Sequence, residues 1–397
     1  MKKKGPLSGV KILDLTAMVS GPTATMMLGD QGADVIKVEP LEGELMRKVG
    51  DDLNGMTNAF LCCNRSKRSI TLNLKNKKGL NILKKLILAS DVFVQNFRPG
   101  TVERMGIGYE KIKKINPELI YVSISGFGEK GPYSKQRVYD PVIQALSGLA
   151  DIQRDQVTGI PKQVRTIIPD KTTGLATAQA ISTALFYRER YGKGQHLKLA
   201  MLDVMIAYLW PEGSSALSFV GKEKNPSLAQ LGLDLVFKTK DKKYITAGAV
   251  TDKEWRGMCI AFNRLDLIKN KKFSTPKARV KYKEERRKFI SDEISKYKAS
   301  EILKAFQKEE VPSAPILSRV ELLKNKQIKA NKIINFYTSK VFGKIRAPRP
   351  AAIFSKTPTT GKKLAPLLGE NSLEILKELN YSKEEISSFL KEKITSK

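Results

Sequence analysis

The chain contains 397 residues, a length that usually divides into two domains, and its hydrophobic fraction of 41% is too high for a disordered protein. The formal net charge of +31 suits nucleic acids, membrane surfaces or small anionic ligands as partners. The lysines are spread from Lys2 to Lys397 without long basic runs, and no nucleic-acid-binding motif accompanies them. We therefore expect no nucleic-acid partner. The alternative is a basic nucleic-acid-binding protein, which would explain the net charge directly.

The cysteines and the histidine do not form a common metal-binding pattern. The cysteines are Cys62, Cys63 and Cys259, and the single histidine is His196. Because none of their spacings matches a zinc or iron site, we expect no metal and no tightly bound cofactor. The N-terminal segment lacks the apolar core of a secretory signal, and no stretch reaches the ~18 apolar residues that span a bilayer. The expected location is the cytoplasm, without a membrane partner.

The N-terminal third of the chain alternates short apolar runs with helical patterns. In chain order, the predicted elements are strand 10–15, a helix after 21–22, strand 33–39, helix 79–90, strand 91–97 and strand 119–127. Strands separated by helices of this length indicate a parallel, doubly wound sheet, which makes the large domain a Rossmann-like α/β fold. Ligands bind such sheets in the loops beyond the carboxyl ends of the strands. Gly21, Gly29 and Gly32 do not match the G-x-G-x-x-G fingerprint, so a dinucleotide site is not indicated.

The remainder of the chain predicts a second, smaller domain. The predicted elements are helix 170–190, strand 196–201, helix 202–210, one short strand within 242–250, and a final helix pair at 371–380 and 382–394. Residues 225–325 otherwise hold lysine-rich amphipathic helices, which indicate a small α+β domain. Residues 348–366 are rich in Pro, Thr and Lys and predict an extended segment. We therefore assign 1–220 to the first part of the large domain, and 330–397 to a return segment that completes it.

Asp170 is the carboxylate best placed for chemistry. It follows Pro169 at the predicted start of helix 170–190. The simpler interpretation is a helix N-cap, because Asp is favoured at that position. The functional interpretation is a nucleophile, because a helix N-terminus favours the ionised carboxylate and Gly174 leaves room for an acyl group. His196 lies inside a predicted strand and is expected to be structural, so chemistry falls to carboxylates, lysines or backbone groups.

A second group of residues suits a ligand that carries phosphate. Asn96, Phe97 and Arg98 end a predicted strand, and Arg104 follows on a short helix after a Pro-Gly turn. Guanidinium groups match phosphate oxygens well, and the Phe97 ring offers a stacking face for a base or a thioester arm. A strand end with solvated arginines is an equally favoured interpretation of the same residues.

Several longer motifs accompany these residues in a specific order. They are LSGVKILDLT, GADVIKVE, NRSKRSITLNLK, DVFVQNFRPG, YDPVIQALSG, PDKTTG, RERYGKGQHLKLAMLD, VPSAPILS and APLLGENSLEILKELNYS. In these motifs the chain resembles, nearly end to end, the family III CoA-transferases, which include formyl-CoA transferase, carnitine CoA-transferase and the α-methylacyl-CoA racemases. Single motifs are short, but their order and spacing are specific to the family.

The resemblance implies an acyl-CoA:carboxylate CoA-transferase that works as an interlocked homodimer. Its substrates would be a CoA thioester, with succinyl-CoA or a related dicarboxylyl-CoA as the expected donor, and a carboxylic acid acceptor. The resemblance implies Asp170 as the nucleophile, which would form a mixed anhydride and then an aspartyl-CoA thioester. The CoA contacts that it implies are Ser20, Leu72, Asn73, Lys75, Asn96, Phe97, Arg98, Arg104, Arg137 and Tyr139.

Departures from the family pattern bear on the reaction type. Racemases of the family carry a histidine at the position of Tyr139, so a two-base proton exchange would lack one base here. This favours a transferase, with an α-methylacyl-CoA racemase or isomerase as the alternative. Pro40 and Val19 stand in place of an arginine and a glutamine of formyl-CoA transferase, and Asn371 in place of a histidine. We therefore do not expect formate and oxalate as the specific substrates.

Overall fold

The chain separates into a larger and a smaller compact unit. The larger unit comprises Met1–Val220 and Ile333–Lys397, and the smaller unit comprises Gly221–Lys332. The chain therefore leaves the larger unit once and returns to it near the C-terminus. The structure is a computed structural model, and it describes residues 5–155, 157–221, 235–359 and 364–396. Within those ranges, no helix is both long and apolar enough to cross a membrane.

A six-stranded parallel sheet forms the centre of the larger unit. In chain order, the strands before residue 210 are β1 (Lys11–Leu15), β2 (Asp34–Glu39), β3 (Asp52–Leu53), β4 (Met56–Thr57), β5 (Lys67–Thr71), β6 (Val92–Gln95), β7 (Ile120–Ser125) and β8 (His196–Ala200). The sheet has the order β5-β2-β1-β6-β7-β8, and β3 with β4 forms a separate antiparallel pair. This is the strand order of Rossmann folds, which reverses direction between β1 and β6. The predicted parallel α/β fold is confirmed.

Helices cover both faces of this sheet. They are α1 (Ser20–Asp30), α2 (Asn58–Asn64), α3 (Lys77–Leu88), α4 (Thr101–Arg104), α5 (Tyr109–Ile112), α6 (Asp140–Leu146), α7 (Leu149–Ile152), α8 (Ile168–Tyr191) and α9 (Met201–Leu209). Leu13, Phe93 and Tyr121 belong to a hydrophobic core on one face of the sheet, whereas Ile12 and Val92 belong to a core on the other. Successive strand residues point to opposite faces, so a strand covered on both sides is rich in apolar residues, although β1 also buries Asp14 and β2 buries Lys37. This burial made most of the strands predictable as mainly apolar runs.

The smaller unit combines a short antiparallel sheet with helices. Its strands are β9 (Val236–Lys238), β10 (Tyr244–Ala247) and β11 (Ser313–Pro315), and its helices are α10 (Asp252–Ala261), α11 (Pro276–Lys281), α12 (Lys283–Ile294), α13 (Ala299–Lys308) and α14 (Lys326–Ala330). The prediction of a single strand in this region was wrong, since β9 and β11 pair with β10. These two strands escaped prediction because each has only three residues and little apolar pattern. Trp255 and Phe306 lie in the hydrophobic core of the unit.

The return segment packs its C-terminal helices beside the edge strand β5. It contains the hairpin strands β12 (Ile334–Ser339) and β13 (Gly343–Pro348), followed by α15 (Ser372–Glu378) and α16 (Lys383–Lys391). The Asn371 Oδ1 atom accepts a hydrogen bond from the Ser69 backbone N–H at 3.1 Å, and Arg68 forms ion pairs with Glu374 and Glu378. The predicted helix pair is confirmed. Of the predicted extended segment 348–366, residues 360–363 lie outside the described residues, and the described remainder after Pro348 has no helix or strand.

Candidate active site

The candidate site lies where the strand order of the sheet reverses, between the carboxyl ends of β1 and β6. Asn96 follows β6 and holds the turn that connects β1 to α1. Its Oδ1 atom accepts a hydrogen bond from the Ala17 backbone N–H at 3.0 Å, and its Nδ2 atom donates to the Ala17 carbonyl at 2.8 Å. Ligands of parallel α/β sheets bind at this point, because loops from neighbouring strands diverge there. The amide of Asn96 therefore fixes one wall of the site.

Asp170 is the third residue of α8 and lies in the first turn of that helix. The N-cap of α8 is Ile167, and the helix begins with Ile168 and Pro169. Proline is favoured in a first turn because its missing N–H is not needed there. The interpretation of Asp170 as the N-cap is therefore wrong, and its carboxylate is not used to cap its own helix. The Asp170 backbone N–H donates a hydrogen bond to the Asp140 Oδ2 atom at 3.2 Å.

The environment of Asp170 makes its carboxylate more basic than an ordinary aspartate. Burial raises the pKa of Asp170 to about 6, and the negative charge of Asp140 adds to the effect. Hydrogen bonds from the Ser20 hydroxyl and the Ser20 backbone N–H act in the opposite direction and stabilise the ionised form. With this pKa, roughly nine-tenths of the Asp170 carboxyl groups are ionised at pH 7. An ionised, basic carboxylate that Ser20 helps to stabilise suits a nucleophile.

Close packing of α1 against α8 brings Ser20 to Asp170. Gly174 lies one turn after Asp170, and a β-carbon at this glycine would lie 3.0 Å from the Ser20 carbonyl oxygen and 3.1 Å from the Thr23 Cβ atom. A larger residue would push the two helices apart. We expected Gly174 to give an acyl group room at the backbone, and the structure instead shows it at a helix contact.

Four of the predicted CoA contacts share one cleft of about 690 Å³, which we call the Leu72 cleft. They are Leu72, Asn73, Lys75 and Phe97. The segment that follows β2 forms the opposite wall, and the β1–α1 turn contributes part of the floor. The complete lining consists of Leu15, Thr16, Ala17, Val38, Glu39, Pro40, Leu41, Glu42, Gly43, Glu44, Leu45, Leu72, Asn73, Leu74, Lys75, Phe97 and Met105. A cleft of this size, lined mainly by apolar groups with a few polar ones, is typical of a ligand site.

The arginines predicted to bind phosphate lie outside this lining. Arg98 borders a second cavity of about 860 Å³, which shares the Phe97 side chain with the Leu72 cleft. Arg104 is exposed in the last turn of α4 and donates to the Thr101 Oγ1 atom at 3.2 Å. Both guanidinium groups are accessible from solvent, but neither is brought into the wall of the Leu72 cleft.

The remaining predicted contacts are Ser20, Arg137 and Tyr139. Ser20 is the first residue of α1 and is 4% exposed, and its donors reach the Asp170 carboxylate. Arg137 and Tyr139 are exposed, and Tyr139 directly precedes Asp140, the residue that accepts from the Asp170 backbone. The structure thus brings Ser20 to Asp170 and places Leu72, Asn73, Lys75 and Phe97 in the Leu72 cleft, whereas Arg98, Arg104 and Arg137 are exposed outside it.

His196 lines the second cavity but is held by structural contacts. Its Nε2 atom lies 2.9 Å from the Ser123 Oγ atom, which also accepts a hydrogen bond from the Gln95 Nε2 atom at 2.9 Å. The imidazole packs against the rings of Tyr109 and Tyr121, and burial lowers the pKa of His196. These contacts connect β6, β7 and β8, in agreement with the structural role expected for this histidine.

Sequence reasoning did not single out two buried carboxylates of the site. Asp140 is 2% exposed and lies beside Asp170, and Glu44 is 4% exposed and contacts the β1–α1 turn. The Asp-Pro pair at the start of α6 was a usable signal for Asp140, because this pattern often opens a helix. No local signal marked Glu44.

The described residues contain no group of three or more His, Cys, Asp or Glu side chains arranged to hold a metal ion.

Comparisons with known proteins agree with this geometry. A family model described as CoA-transferase family III matches residues 7–372. The chain is 36% identical to the succinyl-CoA:glutarate CoA-transferase of Mus musculus over 392 residues, which cover 97% of this chain and 89% of that protein. It is 32% identical to the succinate–glutarate CoA-transferase of Agrobacterium fabrum over 397 residues, which cover 95% of this chain and 96% of that protein.

A solved structure supports the same relationship. The CaiB/BaiF family protein from Brucella suis matches the fold with a TM-score of 0.81 and 30% sequence identity, and the match covers 95% of this chain and 100% of that one. A family match over nearly the whole chain, with relatives above 30% identity over most of their length, confirms the resemblance seen in the motifs. The chain belongs to CoA-transferase family III and is an enzyme of that family.

Proposed function

We propose that this enzyme transfers CoA from a dicarboxylyl-CoA donor, such as succinyl-CoA, to a carboxylic acid acceptor through covalent intermediates on Asp170. The observation that carries the proposal is the Asp170 carboxylate, which has a pKa of about 6 and receives hydrogen bonds from the hydroxyl and the backbone N–H of Ser20. A carboxylate that is ionised at neutral pH yet more basic than usual is a competent nucleophile toward a thioester.

The first half of the proposed reaction loads CoA onto the enzyme. An oxygen of the Asp170 carboxylate attacks the thioester carbonyl carbon of the donor, the C–S bond breaks, and CoA leaves as a thiolate. The product is a mixed anhydride between Asp170 and the donor acid. The thiolate then attacks the Asp170 carbonyl carbon, the anhydride C–O bond breaks, and the donor acid leaves as a carboxylate. An aspartyl-CoA thioester remains.

The second half runs the same bond changes in reverse with the acceptor. The acceptor carboxylate attacks the Asp170 carbonyl carbon and releases CoA thiolate, which gives a second mixed anhydride. The thiolate attacks the acceptor's carbonyl carbon, and Asp170 leaves as a free carboxylate. Every leaving group is a carboxylate or a thiolate, so the sequence requires no proton transfer. Oxyanions that form at the Asp170 carbonyl would be stabilised by backbone N–H groups at the N-terminus of α1, where Ser20 lies.

We propose that the nucleotide part of CoA binds in the Leu72 cleft. Its apolar lining and the Phe97 ring would contact the adenine or the pantetheine arm, and Lys75 would meet phosphate oxygens. Arg98 and Arg104 are accessible beside the cleft and are proposed as further phosphate contacts. Asn96 would act mainly through the β1–α1 turn, because both polar atoms of its amide bind Ala17.

The choice of dicarboxylic substrates follows from the relatives, whose names pair succinyl-CoA or succinate with glutarate. The formal net charge of +31 would also attract anionic acids and CoA esters to the enzyme. We further propose that the enzyme works as an interlocked homodimer in the cytoplasm. Large apolar side chains exposed along α8, namely Leu175, Phe186, Tyr187 and Tyr191, are the kind of surface that a second copy covers. A single-chain mass in light scattering would contradict the dimer.

Isotope transfer provides a direct test of the anhydride sequence. When the acceptor carries labelled carboxylate oxygens, the second anhydride leaves one labelled oxygen on Asp170. When that labelled oxygen attacks the next donor thioester, it becomes the bridging oxygen of the anhydride and leaves with the donor acid. Mass spectrometry of the released succinate should therefore detect label that came from glutarate. Transfer of CoA without any label in the donor acid would contradict an anhydride on the enzyme.

Variants of Asp170 test the identity of the nucleophile. Asp170→Asn should abolish transfer while CoA still binds, and hydroxylamine added during turnover should modify Asp170 of the native enzyme. Asp51→Asn provides a matched control, because Asp51 is an exposed carboxylate of the larger unit. An active Asp170→Asn enzyme would contradict the assignment. Solvent deuterium at the α-carbon of a chiral acyl-CoA, without any acceptor acid, would instead support the racemase alternative.

A further inference from the structure

The turn between β1 and α1 contains a residue in an unfavourable backbone conformation. Met18 has a φ angle of 70°, in the left-handed region that side-chain-bearing residues rarely adopt. The chain reaches Ser20, the hydrogen-bond donor to Asp170, two residues later. The direction of the Ser20 donors therefore depends on how the turn is held at Met18.

Glu44 holds this turn from the opposite wall. Its Oε2 atom accepts a hydrogen bond from the Met18 backbone N–H at 2.8 Å, and its Oε1 atom forms an ion pair of 2.9 Å with the Lys37 Nζ atom. The same Nζ atom donates to the Thr16 carbonyl at 2.9 Å. The Lys37 side chain is 0% exposed and that of Glu44 is 3% exposed. The turn is thus fixed at two of its backbone groups by one buried ion pair.

Lys37 and Glu44 form a buried ion pair whose charges are held by neighbouring groups. Burial disfavours the charge on Lys37, but Asp14, Glu44 and Glu39 together outweigh it and raise the pKa of Lys37. The lysine therefore stays charged, and Glu44 is one of the three carboxylates that favour its charge. One oxygen of Glu44 accepts from the Met18 N–H and the other is ion-paired with Lys37, although Glu44 itself belongs to the wall of the Leu72 cleft. A structural task explains the carboxylate without any contact to a ligand.

We propose that Glu44 is a positioning residue for the nucleophile: it keeps Met18 in the left-handed conformation and so aims the Ser20 donors at Asp170. This inference rests on the proposed function, because it assumes that Asp170 is the nucleophile. Loss of the Glu44 contact lets the turn relax, the Ser20 hydrogen bonds lengthen, and the ionised form of Asp170 loses stabilisation. The N–H groups proposed to stabilise the oxyanions move when the turn relaxes.

Glu44→Gln tests the proposal, because an amide cannot accept from both the Lys37 ammonium group and the Met18 N–H without placing its NH₂ against one of them. We expect kcat to fall by about ten- to a hundredfold, as for a displaced catalytic group, with KM for the acyl-CoA nearly unchanged. The acid limb of the kcat profile should move to higher pH, because weaker Ser20 hydrogen bonds raise the pKa of Asp170.

A second substitution distinguishes positioning from simple loss of stability. Glycine adopts a φ of 70° without steric cost, so Met18→Gly should restore most of the lost kcat in the Glu44→Gln background. Glu44→Asp, which retains the charge for Lys37 but shortens the reach to Met18, should show the same defect and the same rescue. Either variant therefore serves if the other does not fold. Failure of Met18→Gly to restore kcat in a folded variant would overturn the proposal.

Asp30→Asn is the matched control for removing a buried, ion-paired carboxylate. Asp30 is 1% exposed, pairs with Arg65, and lies at the opposite end of α1 from Ser20. Its loss should lower the melting temperature without moving the acid limb. Wild-type kcat and pH profile in Glu44→Gln would contradict the positioning role. Hydroxylamine trapping on Asp170 of the native enzyme separates this result from a failure of the proposed function, which would leave Asp170 unmodified.

Discussion

The raised pKa of Asp170 predicts that its replacement by asparagine stabilises the fold at neutral pH. A carboxylate with a pKa near 6 in the folded chain and an ordinary value in the unfolded chain binds its proton more tightly when folded. Above pH 6 both forms are ionised, and the folded form bears the cost of a partly buried charge next to Asp140. Asp170→Asn removes that charge and keeps the side-chain volume nearly constant.

The magnitude follows from the two pKa values. The shift from 3.8 to about 6 corresponds to about 3 kcal/mol at 1.36 kcal/mol per unit. The amide loses part of the hydrogen bonding with Ser20, which costs about 1 kcal/mol. The expected gain is therefore about 2 kcal/mol above pH 7. The sign reverses in acid: below about pH 3, Asp170 is protonated in both the folded and the unfolded chain, so only the lost hydrogen bond remains and the variant is the less stable one.

Thermal unfolding followed by circular dichroism from about pH 4 to about pH 8 measures this difference. Asp51→Asn controls for the loss of one negative charge at an exposed position. We expect the difference between Asp170→Asn and the native chain to increase through pH 6 and then to level off, while the control stays flat. A pH-independent difference, or a variant that is less stable at pH 8, would refute a raised pKa at Asp170.

Three further predictions concern the surroundings of Asp170. Asp140→Asn removes a negative charge that raises the pKa of Asp170, so the acid limb of kcat/KM should move to lower pH, and an unchanged or higher limb would contradict the charge effect. Asn96→Ala deletes both hydrogen bonds to Ala17 and should lower kcat/KM by at least about tenfold, as measured by steady-state transfer, whereas near-normal activity would show that the turn is held by other contacts. His196→Asn should lower the melting temperature but leave kcat within about twofold, since its contacts are structural, and a loss of kcat without a loss of stability would indicate a catalytic role.

Most strands of the large sheet were predictable because burial on both faces favours short, mainly apolar runs. The strand β5 escaped this rule, since its sequence begins with Lys67 and Arg68. Lys67 is nevertheless 3% exposed, because its ammonium group forms a buried ion pair with Asp14 at 2.8 Å. Burial lowers the pKa of Lys67 to about 8, although the Asp14 charge counteracts the change. A charged residue can enter a buried strand only with such a partner, and a partner 53 residues away leaves no local pattern.

The candidate site likewise contains residues that local sequence could predict and residues that only distant contacts place. Asp170 was predictable as a helix-opening carboxylate, and the family resemblance made it specific. The N-cap interpretation failed because the start of a helix depends on the residues before it, here Ile168 and Pro169. Asp140 and Glu44 owe their positions to contacts with residues 30 and 26 positions away in the chain. Local propensity carries no information on such pairs, so only the folded chain places these carboxylates beside the nucleophile.

The environment that disfavours the ionised form of Asp170 also suits the chemistry proposed for this residue. An ordinary aspartate is a weak nucleophile toward a thioester because its carboxylate is a weak base, whereas a carboxylate with a pKa well above 7 would be mostly protonated and inactive at neutral pH. A pKa of about 6 lies between these limits. Burial and Asp140 raise the basicity, and the Ser20 donors prevent it from rising further. The proposed hold on the turn at Met18 matters because the Ser20 donors contribute to the ionisation of Asp170 and would stabilise the oxyanions that form on it. On this view, the buried pair of Lys37 and Glu44 contributes to the reaction by holding the turn that carries Ser20.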